Sequence, residues 1–298
     1  MQDYDAMLNV SAMPQDERTA AFVAESRENR MRCYEMSEKM TEAVAADGRM
    51  FQRYLDMQSR FERYTANNVL LVMAQKPDAQ KLGDYGYWRS LGAYVQRNER
   101  RNPILILEPG KEYEREDGSI GTYYNAKKVY DITQTNIREQ KVPEQQVEER
   151  MLIRALVSSP PVAIESTAPE NMPVQDQGAL FMPEEGKIYV RTGMDAPEIF
   201  QSLAPELMLA QMARGNPEFD REGYQFHAYC GAYILCRKYG MDTAGYDFSH
   251  APEQFDGLEP QEVRSELTQI RNAASEISAR MEKVLHLGKF QRKQEQVR

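Results

Sequence analysis

Cysteine and histidine are scarce in this 298-residue sequence, and their scarcity removes several chemistries at once. Cys33, Cys230 and Cys236 are an odd set without CxxC spacing, which excludes a disulfide framework and a thiolate zinc knuckle and leaves reduced core thiols as the expectation. The three histidines, His227, His250 and His286, include no two close enough to form a helical metal pair. No stretch approaches the roughly 20 apolar residues that span a bilayer. The opening MQDYDAMLNV has neither the basic head nor the apolar segment of a secretory signal, so a soluble cytoplasmic protein without a membrane partner is expected. Walker, GxGxxG, GxSxG and HxE…CxxC patterns are all missing. Cys230 and His227 share a helical face, but a packed pair explains them better than a nucleophile and its base. The acidic run Glu112, Glu114, Glu116 and Asp117 reads as a solvated loop.

What is present can bury a substantial core. Hydrophobic residues make up 41% and charged residues 28%, which excludes disorder throughout and fits one large or two ordinary domains. The net charge of −9 argues against a protein that coats nucleic acid with its whole surface. The sum hides an asymmetry: residues 1–50 carry −4, residues 51–141 carry +3 and residues 142–298 carry −8. In the basic segment, Tyr85, Tyr87 and the only tryptophan, Trp88, lie between Lys81 and Arg89, and Tyr94 precedes Arg97. Exposed rings among cations suit unpaired bases, which stack on rings while cations hold the backbone. The competing reading is that such rings are core, Trp88 above all.

Along the chain, AAFVAESRENRMRCYEMSEKMTEAVA reads as a helix ending at Asp47-Gly48, and a second helix is predicted from about Met50 to Ala74. Asn67-Asn68 interrupts its apolar stripe, either as a local bend, the favoured reading, or as a ligand contact. YWRSLG suggests a brief helix. Ile104–Leu107 and Tyr123–Ile132 predict a strand pair joined by a charged loop with Asp117-Gly118 at its turn. Residues 158–178, rich in Pro and small polar residues, suit an irregular connection.

Beyond it, Gly186–Arg191 predicts a strand, with helices from about Pro197 to Arg214 and Glu222 to Tyr239, the latter stopped by Gly240. The last helix, from about Pro260, sets Val263, Leu267, Ile270, Ala274, Ile277, Met281 and Val284 at alternating steps of four and three. That seam fits packing within its own domain or a homodimer through the C-terminal helix. Lys289, Arg292, Lys293 and Arg298 form a basic tail, expected to fray.

The motifs RYTANNVLLVMAQ, YGYWRSLGAYVQRNERRNPILILEP and VYDITQT in residues 51–134 resemble the single-stranded-DNA-binding domain of ArdC/LtrC-type antirestriction proteins of mobile genetic elements. Residues 179–285, through KIYVRTGM and AYILCRKYGMDTAGYDF, resemble the same family's zincin-like metallopeptidase domain. The resemblance implies an α+β chain in five parts. These are a helical extension (1–50), a DNA-binding-type domain with helices and a β-hairpin (51–141), an irregular linker (142–178), a mostly helical zincin-like domain (179–288) and the tail (289–298). The family's peptidase uses HExxH, two histidines on one helical face gripping zinc beside a glutamate that activates water. Here Pro205 and Leu209 stand at the histidine positions, only Glu206 remains, and Tyr229 occupies the place of the acidic third ligand. Pro205 is also expected to kink the helix or mark a later start. His227, turned about 200° from Tyr229 around the helix, is a poor substitute ligand.

The reading is therefore a pseudo-peptidase with no metal, no other cofactor and no catalytic residue. It is expected to serve as a non-enzymatic, ArdC-like accessory protein that binds single-stranded DNA and counters host restriction or defence. Binding is assigned to Arg60, Arg63, Lys81, Tyr85, Trp88, Arg89, Arg97, Arg100 and Arg101, cations for phosphate and rings for bases. The alternative is a protein-interaction module whose acidic C-terminal half docks on a host defence protein or partner subunit.

Overall fold

The computed structural model describes residues 15–114, 118–137 and 147–295. The chain divides into two compact units, Met1–Met40 with Leu70–Gln140, and Thr41–Val69 with Lys141–Arg298. Residues 51–69, grouped with residues 70–141 in the sequence reading, fall in the second unit.

Helix α1 (Gln15–Ala46) is followed at once by α2 (Gly48–Arg60), because Asp47 caps the new helix by accepting the Met50 amide at 2.8 Å. The single helix expected from 50 to 74 is two, α2 and α3 (Ala66–Gln75). The break falls ahead of Asn67-Asn68 and not at them: Thr65 Oγ1 accepts the Asn68 amide, and Gln58 donates to the Phe61 and Tyr64 carbonyls. A buried amide side chain thus satisfies the loose end of α2.

In the first unit, β1 (Leu82–Gly83), α4 (Tyr85–Ser90), β2 (Ile104–Glu114) and β3 (Ile120–Asp131) follow one another, and the antiparallel sheet has the order β1-β3-β2. The turn glycine Gly118 has φ +79°, as a tight reversal requires; Asp117 lies outside the described residues. The β2 edge is closed by a side chain acting as a strand. Gln75 donates to the Leu105 carbonyl at 2.8 Å and accepts its amide at 2.9 Å. Beneath the sheet, Cys33 of α1 packs with Leu71, Leu105 and Leu107. A second cluster joins Trp88, Ala93, Val95 and Tyr130. Asp131, fully buried, accepts the Gln80 and Lys81 amides with one oxygen and both the amide and hydroxyl of Thr133 with the other.

The second unit contains α5 (Glu149–Leu156) and a mixed sheet of order β4-β6-β5. Its strands are β4 (Ala163–Thr167), β5 (Ala179–Met182) and β6 (Lys187–Arg191); β4 runs parallel to β6 and β5 antiparallel. The expected irregular linker 142–178 is thus partly ordered as α5 and β4, since β4 pairs with β6, Ala163 opposite Lys187, a partner distant in the chain that no local pattern can place beside it. Helices α6 (Ala196–Ala213), α7 (Gln225–Tyr239) and α8 (Pro260–Glu295) complete the unit. Helix α6 opens on a reciprocal Asp195–Glu198 capping box and runs unbroken through Pro205, so the expected later start does not occur. Gly231 lets α7 approach α6: a Cβ there would sit 1.8 Å from Met208 Cε.

The seam of α8 is consumed within the fold. Val263, Leu267, Ile270, Ala274, Ile277 and Met281 are all buried, packed with α5, α6 and α7, so the seam is not open for a homodimer. The side chains of Lys289, Arg292, Lys293 and Arg298 lie outside the described part of the structure. Among the described residues no helix is long and apolar enough to cross a membrane.

Candidate functional site

Two places in the structure bear on function, one in each unit. In the second unit, the positions that the resemblance assigns to zinc ligands lie on α6 and α7. Leu209 is buried in the helix interface, and Pro205, half-buried within α6, offers no donor. Glu206 is engaged on all sides: both its oxygens receive Arg221, each at 2.9 Å, and one also accepts the Phe181 amide at 2.6 Å. The same guanidinium donates to the Phe181 carbonyl at 3.0 Å, so the ion pair clamps β5 to α6 through a fork of parallel bonds. Tyr229 on α7 accepts the Asp247 amide at 2.7 Å and stacks among Tyr246 and Phe248, and burial pushes its phenol up from the ordinary tyrosine value. His227 reaches across to the Glu266 carboxylate on α8.

This donor chemistry does not fit a metal ion. Proline and leucine have no lone pair to give, and the one carboxylate is neutralised by a guanidinium already in place. Among the described residues no three His, Cys, Asp or Glu side chains gather as a metal site. Burial pushes Cys33 and Cys236 up to about 11 and raises Cys230 as well, which suppresses the reactive thiolate.

In the first unit, a groove of about 950 Å³ opens between α1, the end of α3 and the turn 99–105. Arg32, Lys76, Arg100, Arg101 and Lys128 line it, against Glu25, Asp78 and Glu99. Lys128 pairs with Glu25 at 2.6 Å and Lys76 with Asp78 at 3.2 Å, while the Arg100 carbonyl receives the Tyr130 hydroxyl at 3.0 Å, fixing the turn that presents both arginines. Cations outnumber acids here, and such a depression concentrates positive potential on an anionic chain.

The sequence-assigned binding residues are scattered. Arg100 and Arg101 line the groove. Lys81, Tyr85, Arg89 and Arg97 are exposed in the same unit but do not line it; Lys81 lies 5.7 Å above the Tyr87 ring, and Tyr85 packs edge-on to Tyr130. Trp88 is a correction: it is 0% exposed, its indole donates to the Tyr130 carbonyl at 3.0 Å, and its ring is core, not a platform for a base. Arg60 and Arg63, both exposed, belong to the second unit. Sequence reading missed Arg32, Lys76 and Lys128 as groove residues and Arg221 as the partner of Glu206. The first three could have been found only through knowledge that α1 lies along the sheet, and Arg221 sits in a turn with no periodicity at all.

No protein-family model matches the chain, and no curated protein is similar to it in sequence. Solved structures are. The metal-free crystal structure of the antirestriction protein ArdC from plasmid R388 is 19% identical over 74% of this chain and 86% of that one, with a TM-score of 0.47. The Mn(II)-bound structure of ArdC from the same plasmid is 15% identical over 84% of this chain and 97% of that one, with a TM-score of 0.51. At that identity the likeness speaks to architecture, and the chain has an ArdC-type α+β fold.

Proposed function

We propose that this chain is a non-enzymatic accessory protein of antirestriction type that binds single-stranded DNA in the groove of its first unit. The observation that carries the reading is the convergence of Arg32, Lys76, Arg100, Arg101 and Lys128 on one concave surface. Phosphate contacts supply most of the affinity for an unpaired strand, and exposed Tyr85, Tyr87 and Tyr94 supply rings nearby in sequence for the bases. The non-enzymatic part rests on the Glu206–Arg221 pair, which occupies the carboxylate that a metallopeptidase would need to activate water. The fold shared with ArdC motivates the antirestriction role.

A fluorescence-anisotropy titration with a labelled oligonucleotide at two salt concentrations tests the reading. Expected is affinity that falls steeply with salt and is reduced by Arg100→Ala with Arg101→Ala. Weak binding indifferent to salt would sink it. The biological role is read from how efficiently unmodified DNA enters a restricting host with and without the protein; no difference would remove that part alone.

A further inference from the structure

The wall that α1 gives to the groove carries charges of both signs. Glu25, Asn29, Arg32 and Met36 all line it. Steps of four, three and four residues keep them within about 60° of one another on one helical face. Arg32 suits an anionic strand, and Glu25, two turns before it, opposes one. The Glu25 carboxylate is held by a contact across the fold: Lys128 on β3 donates to its Oε1 at 2.6 Å, joining residues 103 positions apart.

The pair formed by Lys76 and Asp78 is of a different kind, because two residues of chain separate the partners and local backbone sets their meeting. Glu25 and Lys128 meet only because α1 lies along the sheet. The Lys128 ammonium holds the Glu25 carboxyl below its ordinary value of 4.5, and a hydrogen bond from Asn29 adds to this, so the carboxylate is charged at neutral pH. The two side chains are 57% and 49% exposed. A pair so open to water contributes little to stability, and a phosphate can reach the ammonium. Lysine is a point charge with three donors and no preferred plane, so carboxylate and phosphate compete for it on similar geometric terms. The helix does not need Glu25 for its seat, since Cys33 and Met36 pack it against Leu71, Leu105 and Leu107.

We infer that Glu25 is an internal competitor of the strand: its carboxylate occupies Lys128 and is exchanged for a phosphate when DNA enters the groove. Resting on the strand binding proposed above, this exchange regulates the same site. It keeps affinity below what the groove's cations would otherwise give. It also favours a chain of phosphates, which reaches Arg32, Arg100 and Arg101 together with Lys128, over a single phosphate that must displace Glu25 unaided.

Anisotropy titrations of the full chain with a fluorescein-labelled oligothymidine, at several salt concentrations, test the exchange. Glu25→Gln is expected to bind about fivefold tighter than wild type at low salt, with a salt slope steeper by about 0.7, the value for one further phosphate contact on a single strand. Glu28→Gln removes the same charge from the same helix at a position that does not line the groove, and is expected to change affinity by less than about twofold. In a Lys128→Ala background the gain from Glu25→Gln is expected to shrink, because the carboxylate no longer has an ammonium to withhold. Circular dichroism verifies that each variant keeps its helix content. Wild-type binding that falls with salt but is unmoved by Glu25→Gln overturns the inference. So does an equal gain from Glu28→Gln, which would make it an effect of net charge, and so does a gain undiminished without Lys128, which would make it plain repulsion. Absence of salt-dependent binding in every variant is a separate result, and it overturns the groove reading together with the exchange.

Discussion

Arg221 holds Glu206 with two nitrogens, each 2.9 Å from a carboxylate oxygen, while the amide and carbonyl of Phe181 complete the fork. The Glu206 side chain is 10% exposed and that of Arg221 31%, so the pair is shielded but not dry. Removing the guanidinium leaves a shielded carboxylate with only one donor, which is costlier than removing the charge from the carboxylate. Arg221→Ala is therefore expected to destabilise the protein by about 2 kcal/mol or more, and Glu206→Gln by less. Urea midpoints of the two variants check this; equal stability to wild type in Arg221→Ala would show that the fork is dispensable.

Trp88 provides an intrinsic probe because no other tryptophan exists. Full burial and the bond to the Tyr130 carbonyl place its indole out of reach of solvent and of bases. Its emission is expected to be blue-shifted, resistant to acrylamide and unquenched by added oligonucleotide until the protein unfolds. Trp88→Phe leaves the Tyr130 carbonyl without that donor and creates a small void, at a cost of about 2 kcal/mol.

Asp131 ties the chain segment at residues 80–81 to the turn at residue 133. Asparagine in its place turns one acceptor into a donor facing other donors. Asp131→Asn is expected to cost about 2–3 kcal/mol and Asp131→Ala at least as much. Thermal melts monitored by circular dichroism would reveal it, and an unshifted Tm would contradict this account of the cluster.

Lys238 is a node in the second unit: its ammonium meets Glu62, Glu282 and Ser278. Burial opposes its charge, but Tyr239, Glu282 and Glu62 outweigh burial and hold its pKa above the ordinary lysine value of 10.5. Burial likewise works against the charge of Glu282, and Lys238 outweighs it to hold that carboxyl below 4.5. The raised lysine contributes stability that is complete below 10.5 and lost as pH climbs through its folded pKa. The lowered glutamate contributes stability present above 4.5 and lost as pH falls through its folded pKa. Lys238→Met is expected to lower stability at neutral pH and to flatten both limbs of the profile. Urea midpoints measured across the pH range test both signs.

The sequence by itself determined the elements whose signals are local. Asp47, Gly48 and Gly240 marked helix ends because capping and left-handed conformation are decided within a few residues. The period of α8 was legible because one face of a helix repeats every three or four residues. That Pro205 and Leu209 cannot hold a metal was equally legible, since a side chain without a lone pair has none in any fold. Tertiary structure alone decided which face meets which. A seam pattern is the same whether a neighbour or a second copy fills it, and in α8 the neighbours α5, α6 and α7 do. A tryptophan among arginines is the same string whether exposed or core, and packing against Gly83, Ala93, Val95 and Tyr130 made Trp88 core. Arg32 and Arg100 line one groove, and Arg221 meets Glu206, only because chain reversal brought separate segments together, and no local rule records such an encounter.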